Sequence, residues 1–181
     1  SFIKFIESNN DNNQISWNTA TISNDRANFN YTIDKQTIGI IGTRPDGFDT
    51  CDYEKDEVTN KLNVSLINLD LDDLFNDAKE VHADTITATK KTISGYLQGT
   101  EELVQDEFDK SISIFHGLEN LKEKHNLDAF AIRCWPETFT EYGCASCGPM
   151  AMMNEKKVSC ACEADVLGGI SCNILNQMND N

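Results

Sequence analysis

The chain has 181 residues, 39% of them hydrophobic and 25% charged, which is a composition typical of a folded domain. Its 15 Lys and Arg against 30 Asp and Glu give a net charge of −15, which repels phosphate backbones and anionic lipid headgroups. No apolar run approaches the ~20 residues of a spanning helix, and the opening segment is too mixed in polarity for a secretory signal. We therefore expect a cytoplasmic protein, with neither nucleic acid nor a membrane as a partner.

The first part of the chain differs in composition from the rest. Residues 1–36 are polar and rich in Asn, with isolated apolar residues in no sustained period, which predicts a linker or a wrapping arm. Residues 37–181 alternate short apolar runs with helical stripes, a pattern typical of an α/β domain with a parallel sheet.

The predicted elements follow in chain order. The β-branched runs at 37–42 and 63–69 predict buried strands, separated by a short helix at 53–62. Asp70 is placed to cap a helix whose apolar residues repeat at helical spacing, whereas residues 83–99 are Thr-rich and ambiguous. A long helix is expected from Thr100 to about 126.

The last third of the chain predicts two more strands and two more helices. A strand at 127–135 ends before Pro136, and a strand at 158–162 lies between helices at 144–155 and 164–178. The whole order predicts a three-layer α/β/α sandwich with a mostly parallel, Rossmann-like sheet of about four to five strands.

Acidic residues follow the last two predicted strands. Glu137 comes directly after one, and Glu163 and Asp165 come directly after the other. If these strands are neighbours, their ends lie ~5 Å apart and the carboxylates converge, as ligands of Mg²⁺ or Mn²⁺ would. Two structural roles are alternatives: Asp165 as a helix N-cap, and Glu163 as the ion-pair partner of Arg133 or Lys157.

Six of the seven cysteines lie in the last third of the chain, and Cys51 lies apart from them. Cys144-x-x-Cys147 followed by Cys160-x-Cys162 is a spacing that can form a zinc site, and a C-x-x-C at a helix start can also be a redox pair. The favoured interpretation is that these are reduced thiols, packed as small buried hydrophobes.

Several separated motifs resemble the L-fucose isomerase family, over roughly residues 37–178. The motifs, in the same order and with the same spacing as in the family, are I-G-x-I-G-x-R-P-D-G-F-D-x-C (38–51), R-C-W-P-E (133–137), Y-G-C-A-S-C-G-P-M-A-M-M-N-E (142–155) and A-C-E-A-D-V-x-G (161–168). Members interconvert aldoses and ketoses with a divalent ion, usually manganese, and have two α/β domains followed by a β-rich C-terminal domain. The resemblance implies that this chain corresponds to the second α/β domain.

The resemblance also implies roles for individual residues. Glu137 of the W-P-E motif matches the first carboxylate ligand, and Asp165 of the E-A-D motif matches the second, with Glu163 as its alternative. Glu137 and Asp165 would share ligand and acid/base roles in isomerisation through an enediol. Trp135 would be an apolar wall of the sugar site, although a buried indole at a strand end is the favoured interpretation.

The family pattern covers more than this chain contains. The first α/β domain and the C-terminal domain, which supplies a histidine ligand, have no counterpart here, so we expect a domain of a longer isomerase, with weak metal binding and little activity alone. The resemblance implies a sugar substrate and a homo-oligomer for the full-length protein. Two other functions stay open: a non-catalytic sugar-binding or assembly domain, and a zinc or redox protein that uses its cysteines.

Overall fold

The sheet of this computed structural model, which describes residues 35–179 with side chains through Gln177, has four parallel strands in the order β2-β1-β3-β4. The strands are β1 (Gln36–Ile41), β2 (Val64–Leu69), β3 (Ala129–Ile132) and β4 (Ser159–Ala161). The predicted arm over residues 1–36 lies outside the described residues except for its last two, and Gln36 already belongs to β1.

Helices cover both faces of this sheet, so the predicted α/β sandwich is confirmed. They are α1 (Lys55–Lys61), α2 (Leu71–Lys79), α3 (Ala83–Tyr96), α4 (Gln105–His125), α5 (Cys147–Glu155) and α6 (Val166–Asn179). In the described part of the chain, no helix is both long enough and apolar enough to cross a membrane.

The two faces have different cores because side chains alternate along each strand. On β3, Phe130 and Ile132 pack with α2, α4 and α5, whereas Ala129 and Ala131 pack with α1 and α6. The small alanines let α6 approach closely: a Cβ on its Gly169 would lie 3.0 Å from the carbonyl oxygen of Phe130. Helix α6 therefore packs closely against the backbone of β3.

The structure resolves the ambiguous Thr-rich segment as α3, a helix of 14 residues. The hydroxyls of Thr87 and Thr92 donate to backbone carbonyls four residues earlier, which satisfies them within the helix. The long helix predicted from Thr100 begins later, at Gln105, because a short 3₁₀ turn and two extended residues precede it. The Gln105 amide donates to the carbonyls of Thr100 and Leu103 and so stabilises that turn.

The strand order places a topological switch point between β1 and β3. From β1 the chain passes to β2 on one side, and then crosses back to β3 on the other side. In open parallel sheets, ligands bind in the crevice outside the carboxyl ends of the strands at such a point. The predicted acidic residues follow β3 and β4 at this same edge.

Two leucines test the assignment of the core. Leu118 of α4 is 0% exposed, and Leu175 of α6 is 65% exposed. We expect Leu118→Ala to lower the free energy of unfolding by about 2–5 kcal/mol, because it removes buried apolar surface and leaves a cavity. Leu175→Ala, the matched control, should change it by less than about 0.5 kcal/mol in urea denaturation. Equal losses in the two variants would contradict this core.

Candidate functional site

The candidate site lies where β3 and β4 end side by side. Ala131 of β3 pairs with Ala161 of β4, which confirms the predicted adjacency of the two strands. The pairing continues into the loops, because the backbone N–H of Ala164 donates to the carbonyl of Ile132 at 2.9 Å. The segments that carry Glu137, on one side, and Glu163 and Asp165, on the other, therefore start from neighbouring points.

Arg133 fixes the position of Glu137. Its Nε donates to Oε2 of Glu137 at 2.6 Å, and its Nη1 donates to the carbonyl of Thr43, in the loop after β1, at 3.1 Å. The hydrogen bond from the Arg133 guanidinium lowers the pKa of Glu137, so this carboxyl is ionised at neutral pH, as a metal ligand must be. Arg133 thus pairs with Glu137. The ion pair between Arg133 and Glu163, which the sequence suggested as a structural role for Glu163, is replaced by this contact.

Asp165 caps the start of α6. Its Oδ1 accepts a hydrogen bond from the backbone N–H of Gly168 at 2.9 Å, which confirms the N-cap role. A Cβ on Gly168 would lie only 2.5 Å from Oδ2 of Asp165, so a larger residue at position 168 would require the carboxylate to shift. This close approach gives the glycine of the A-C-E-A-D-V-x-G motif a physical reason.

Glu163 lies in a strained turn. Glu163 and Ala164 both have left-handed backbone conformations, with φ values of 53° and 52°. Each such conformation in a residue other than glycine costs about 1–2 kcal/mol, and such residues occur preferentially at functional sites. The turn brings Oε1 of Glu163 to 3.4 Å from Sγ of Cys134.

A disulfide bond joins Cys134 and Cys162 across the ends of β3 and β4, with a Cα–Cα distance of 5.9 Å. The sequence interpretation of all cysteines as reduced thiols is wrong for this pair. The physical reason is the pairing of β3 with β4, since the residues that follow two hydrogen-bonded strands lie within the range a disulfide spans.

The predicted cysteine quartet does not come together. Cys144 and Cys160 are buried, Cys147 is exposed, and Cys162 is bonded to Cys134. Burial raises the pKa of both the Cys144 and the Cys160 thiols. For Cys144, the first cysteine of the C-x-x-C, this is opposite to the shift that a reactive pair needs. Over residues 35–177, the group of metal-ligating side chains whose ligand atoms all lie within 4.8 Å of one another is Cys134, Cys162 and Glu163.

Trp135 is exposed beside the candidate ligands, so its interpretation as a buried indole is wrong. Its side chain is 53% accessible, and its ring contacts that of Phe139 edge to face, with centroids 5.3 Å apart. β3 ends at Ile132, three residues before the predicted end, and Trp135 therefore lies beyond the sheet. The two rings form an apolar surface next to Glu137. The sequence indicated only Trp135, because Phe139 belongs to no motif or periodic pattern.

A crevice of about 340 Å³ lies at the same edge of the sheet, outside β1 and β2. Thr43 and Arg44 of the loop after β1 line it, together with Ala164 of the strained turn. The Arg44 guanidinium is paired with Asp49 at 2.8 Å. The crevice and the three acidic residues thus occupy the carboxyl edge of one sheet, the usual position of a ligand site in this architecture.

Comparison with known proteins gives a consistent set of relatives, although no family model matches the chain. The relatives are sulfoquinovose isomerases. The chain is 31% identical over 146 residues to that of Alkalicoccus urumqiensis, 28% over 147 residues to that of Priestia megaterium, and 25% over 138 residues to that of Clostridium sp. (strain MSTE9). These matches cover 76–78% of this chain but only 31–32% of each relative.

The chain therefore spans about a third of the length of the curated relatives it matches. Its similarity to isomerases agrees with the function that the sequence motifs imply. Membership of the L-fucose isomerase family itself stays a prediction, as do the ligand roles of Glu137, Glu163 and Asp165.

The ion pair between Arg133 and Glu137 should make stability depend on pH. The folded-state pKa of Glu137 lies below its ordinary value of 4.5, so its stabilising contribution is present above that value and is lost as the pH falls through the lowered one. We expect the free energy of unfolding of wild type minus that of Glu137→Gln to be constant between about pH 7 and pH 6, and to shrink below about pH 4.

The control is the same comparison in an Arg133→Gln background, measured by urea denaturation at each pH. The decrease in acid should be lost there, because the guanidinium that lowers the pKa of Glu137 is absent. An equal decrease in both backgrounds would show that Arg133 does not set the ionisation of Glu137.

Proposed function

We propose that this chain is the carboxylate-bearing α/β domain of an aldose–ketose isomerase that acts on an open-chain sugar through an enediol. The observation that carries the proposal is the match to four sulfoquinovose isomerases over 76–78% of the chain. The placement of acidic residues after two neighbouring parallel strands supports it. Sulfoquinovose, the substrate named for the relatives, is the first sugar to test.

The residues at the edge fit a hard divalent cation in their donor chemistry, since carboxylate oxygens suit Mg²⁺ or Mn²⁺. We propose Glu137 and Asp165 as its ligands, with Glu163 as the alternative to Asp165, and Mn²⁺ as the ion. Each of these side chains is half-buried, so it is accessible yet partly shielded from water. When bound, such an ion polarises the sugar carbonyl and stabilises the negative charge that develops on the enediol oxygens.

The chain's own residues supply the proton chemistry and the surroundings. Isomerisation moves a proton between C2 and C1 of the sugar, and an ionised carboxylate within hydrogen-bond reach can accept it from one carbon and return it to the other. We assign this role to Glu137 and Asp165. Arg133 is a positioning residue, because it holds Glu137 through Oε2 and keeps it ionised. Trp135 and Phe139 are placed to cover an apolar face of the sugar.

The proposal includes the assembly expected from the sequence. The matched relatives are about three times as long as the aligned segment, so we assign the rest of the sugar site, and a histidine ligand, to other parts of a longer polypeptide. We further propose that the full-length protein is a cytoplasmic homo-oligomer and that this domain alone has little activity.

A non-catalytic sugar-binding or assembly domain is the second candidate. The observation that favours it is that Glu137 and Asp165 already have structural partners, since one is paired with Arg133 and the other caps α6. Such a domain would bind the sugar without exchanging its C2 proton.

Isomerisation by the full-length protein with added Mn²⁺, followed by NMR in D₂O, separates the two candidates. An enediol route incorporates solvent deuterium at C1 or C2 of the product, because the transferred proton exchanges at the carboxylate. We expect Glu137→Gln and Asp165→Asn to lower kcat/KM at least about 100-fold, as loss of an acid/base group does. Asn at position 165 retains the oxygen that caps α6, so the loss would not reflect unfolding.

Glu141→Gln is the matched control, since Glu141 is an exposed glutamate in the turn after Glu137 and should have little effect on activity. Glu163→Gln decides whether Asp165 or Glu163 is the second ligand. If it is Glu163, then Glu163→Gln should lower kcat/KM and Asp165→Asn should not. Full activity in both Glu137→Gln and Asp165→Asn would contradict the proposed site. Sugar binding with neither isomerisation nor deuterium incorporation in the wild type would support the non-catalytic domain.

A further inference from the structure

The ends of β3 and β4 carry a second group of side chains with ligand chemistry, which includes Glu163, the alternative ligand above, but neither Glu137 nor Asp165. The Sγ atoms of Cys134 and Cys162 and a carboxylate oxygen of Glu163 all lie within 4.8 Å of one another. Cys134 is buried, and Cys162 and Glu163 are half-buried. Two sulfurs and one carboxylate oxygen therefore meet at a partly buried position.

The contact of Glu163 with the disulfide is not explained by the disulfide itself. Oε1 of Glu163 lies 3.4 Å from Sγ of Cys134, at the distance of a hydrogen bond to sulfur. A disulfide sulfur has no hydrogen to donate, so the oxidised form gives this carboxylate no bond there. The reduced thiol of Cys134 does carry a proton, and the same geometry would then satisfy the carboxylate.

The backbone maintains this arrangement at a conformational cost. Glu163 and Ala164 both adopt left-handed conformations, and the N–H of Ala164 is bonded to the carbonyl of Ile132. That hydrogen bond anchors the turn to the end of β3, the strand that leads into Cys134. The position of Glu163 is thus defined relative to the two sulfurs by strand pairing.

We propose that reduction of the Cys134–Cys162 disulfide creates a three-ligand site for Zn²⁺, formed by the two cysteine sulfurs and the Glu163 carboxylate. Zn²⁺ binds cysteine thiolates and carboxylates in tetrahedral geometry, and three protein ligands leave its fourth position to water. The disulfide form cannot bind the ion in this way, because both sulfurs are engaged with each other. The proposal does not depend on isomerase activity, which we assign to Glu137 and Asp165.

The chemical step balances with a phosphine as the reductant. The phosphine attacks one sulfur and breaks the S–S bond, and water then hydrolyses the adduct. Phosphorus is oxidised to the phosphine oxide with the oxygen of water, while the two protons of water give two thiols. Each thiol releases one proton when its sulfur binds the cation.

Cobalt(II) is the probe that tests this site, because bonds from thiolate sulfur to Co²⁺ give charge-transfer absorption that oxygen ligands alone do not give. The experiment uses a variant with Cys51→Ser, Cys147→Ser and Cys172→Ser, which lacks the free thiols that are not buried. After treatment with tris(2-carboxyethyl)phosphine and its removal, we expect one thiolate-bound Co²⁺ per chain, with a charge-transfer band that Zn²⁺ abolishes. The oxidised protein should show no such band.

Single substitutions in this background assign the ligands. Cys134→Ser and Cys162→Ser should each weaken the band, and Glu163→Gln, which retains both thiols, should lower the affinity for Co²⁺ at least about 10-fold. Glu141→Gln, which changes an exposed glutamate that belongs to neither proposed site, is the matched control and should leave the band and the affinity unchanged. Circular dichroism of each variant shows whether it is folded.

Three results would overturn the proposal. They are the absence of a thiolate band in the folded, reduced protein, a band that persists in full in either cysteine variant, and an affinity that Glu163→Gln leaves unchanged. The oxidised and reduced forms of one protein differ only at the disulfide, so this comparison decides the matter even if a cysteine variant does not fold.

Discussion

The parallel pairing of β3 with β4 is the constraint on which the candidate site depends. Parallel strands end at the same edge, so the segments after Ile132 and after Ala161 must leave the sheet as neighbours. The disulfide between Cys134 and Cys162 and the hydrogen bond from Ala164 to Ile132 continue that pairing beyond the sheet. The acidic residues in these segments are held by the fold itself.

Each acidic residue at this edge is held by a different interaction. Glu137 is bound by the Arg133 guanidinium, Asp165 by the N-terminus of α6, and Glu163 by a strained turn beside the disulfide. These interactions restrict the side chains, and a restricted carboxylate loses less conformational entropy when it binds an ion or a substrate. The same contacts also compete with a ligand, which is why a role for each residue has to be tested separately.

The parts of the site that follow from local chemistry could be predicted from the sequence. The position of Asp165 directly before an apolar helical run predicts its role as the N-cap of α6, which the structure shows. The adjacency of β3 and β4 could also be predicted, since strands that are consecutive in the chain usually pair. The cysteine pairing could not be predicted, because Cys134 and Cys162 are 28 residues apart and several other cysteines were equally plausible partners.

Other features depend on where an element ends, which the sequence pattern does not define to within a few residues. Trp135 is exposed because β3 stops at Ile132, although the apolar run continues through Trp135 itself. Similarly, α4 begins at Gln105 and not at Thr100 as predicted, because a side-chain hydrogen bond of Gln105 stabilises a separate turn before the helix. The pairing of Arg133 with Glu137 and Thr43 joins two loops that are 90 residues apart, and no local pattern reports it.

The central claim is that Glu137 and Asp165, which follow neighbouring strands, bind one divalent cation. A crystal structure of the full-length protein with Mn²⁺, with the ion located by its anomalous scattering, tests this claim most directly. The account predicts one Mn²⁺ at the carboxyl edge of the sheet, with an oxygen of each residue within about 2.1–2.4 Å, between the distances typical of Mg²⁺ and Ca²⁺. Manganese bound elsewhere, with Glu137 still paired only with Arg133 and Asp165 serving only as the cap of α6, would contradict it.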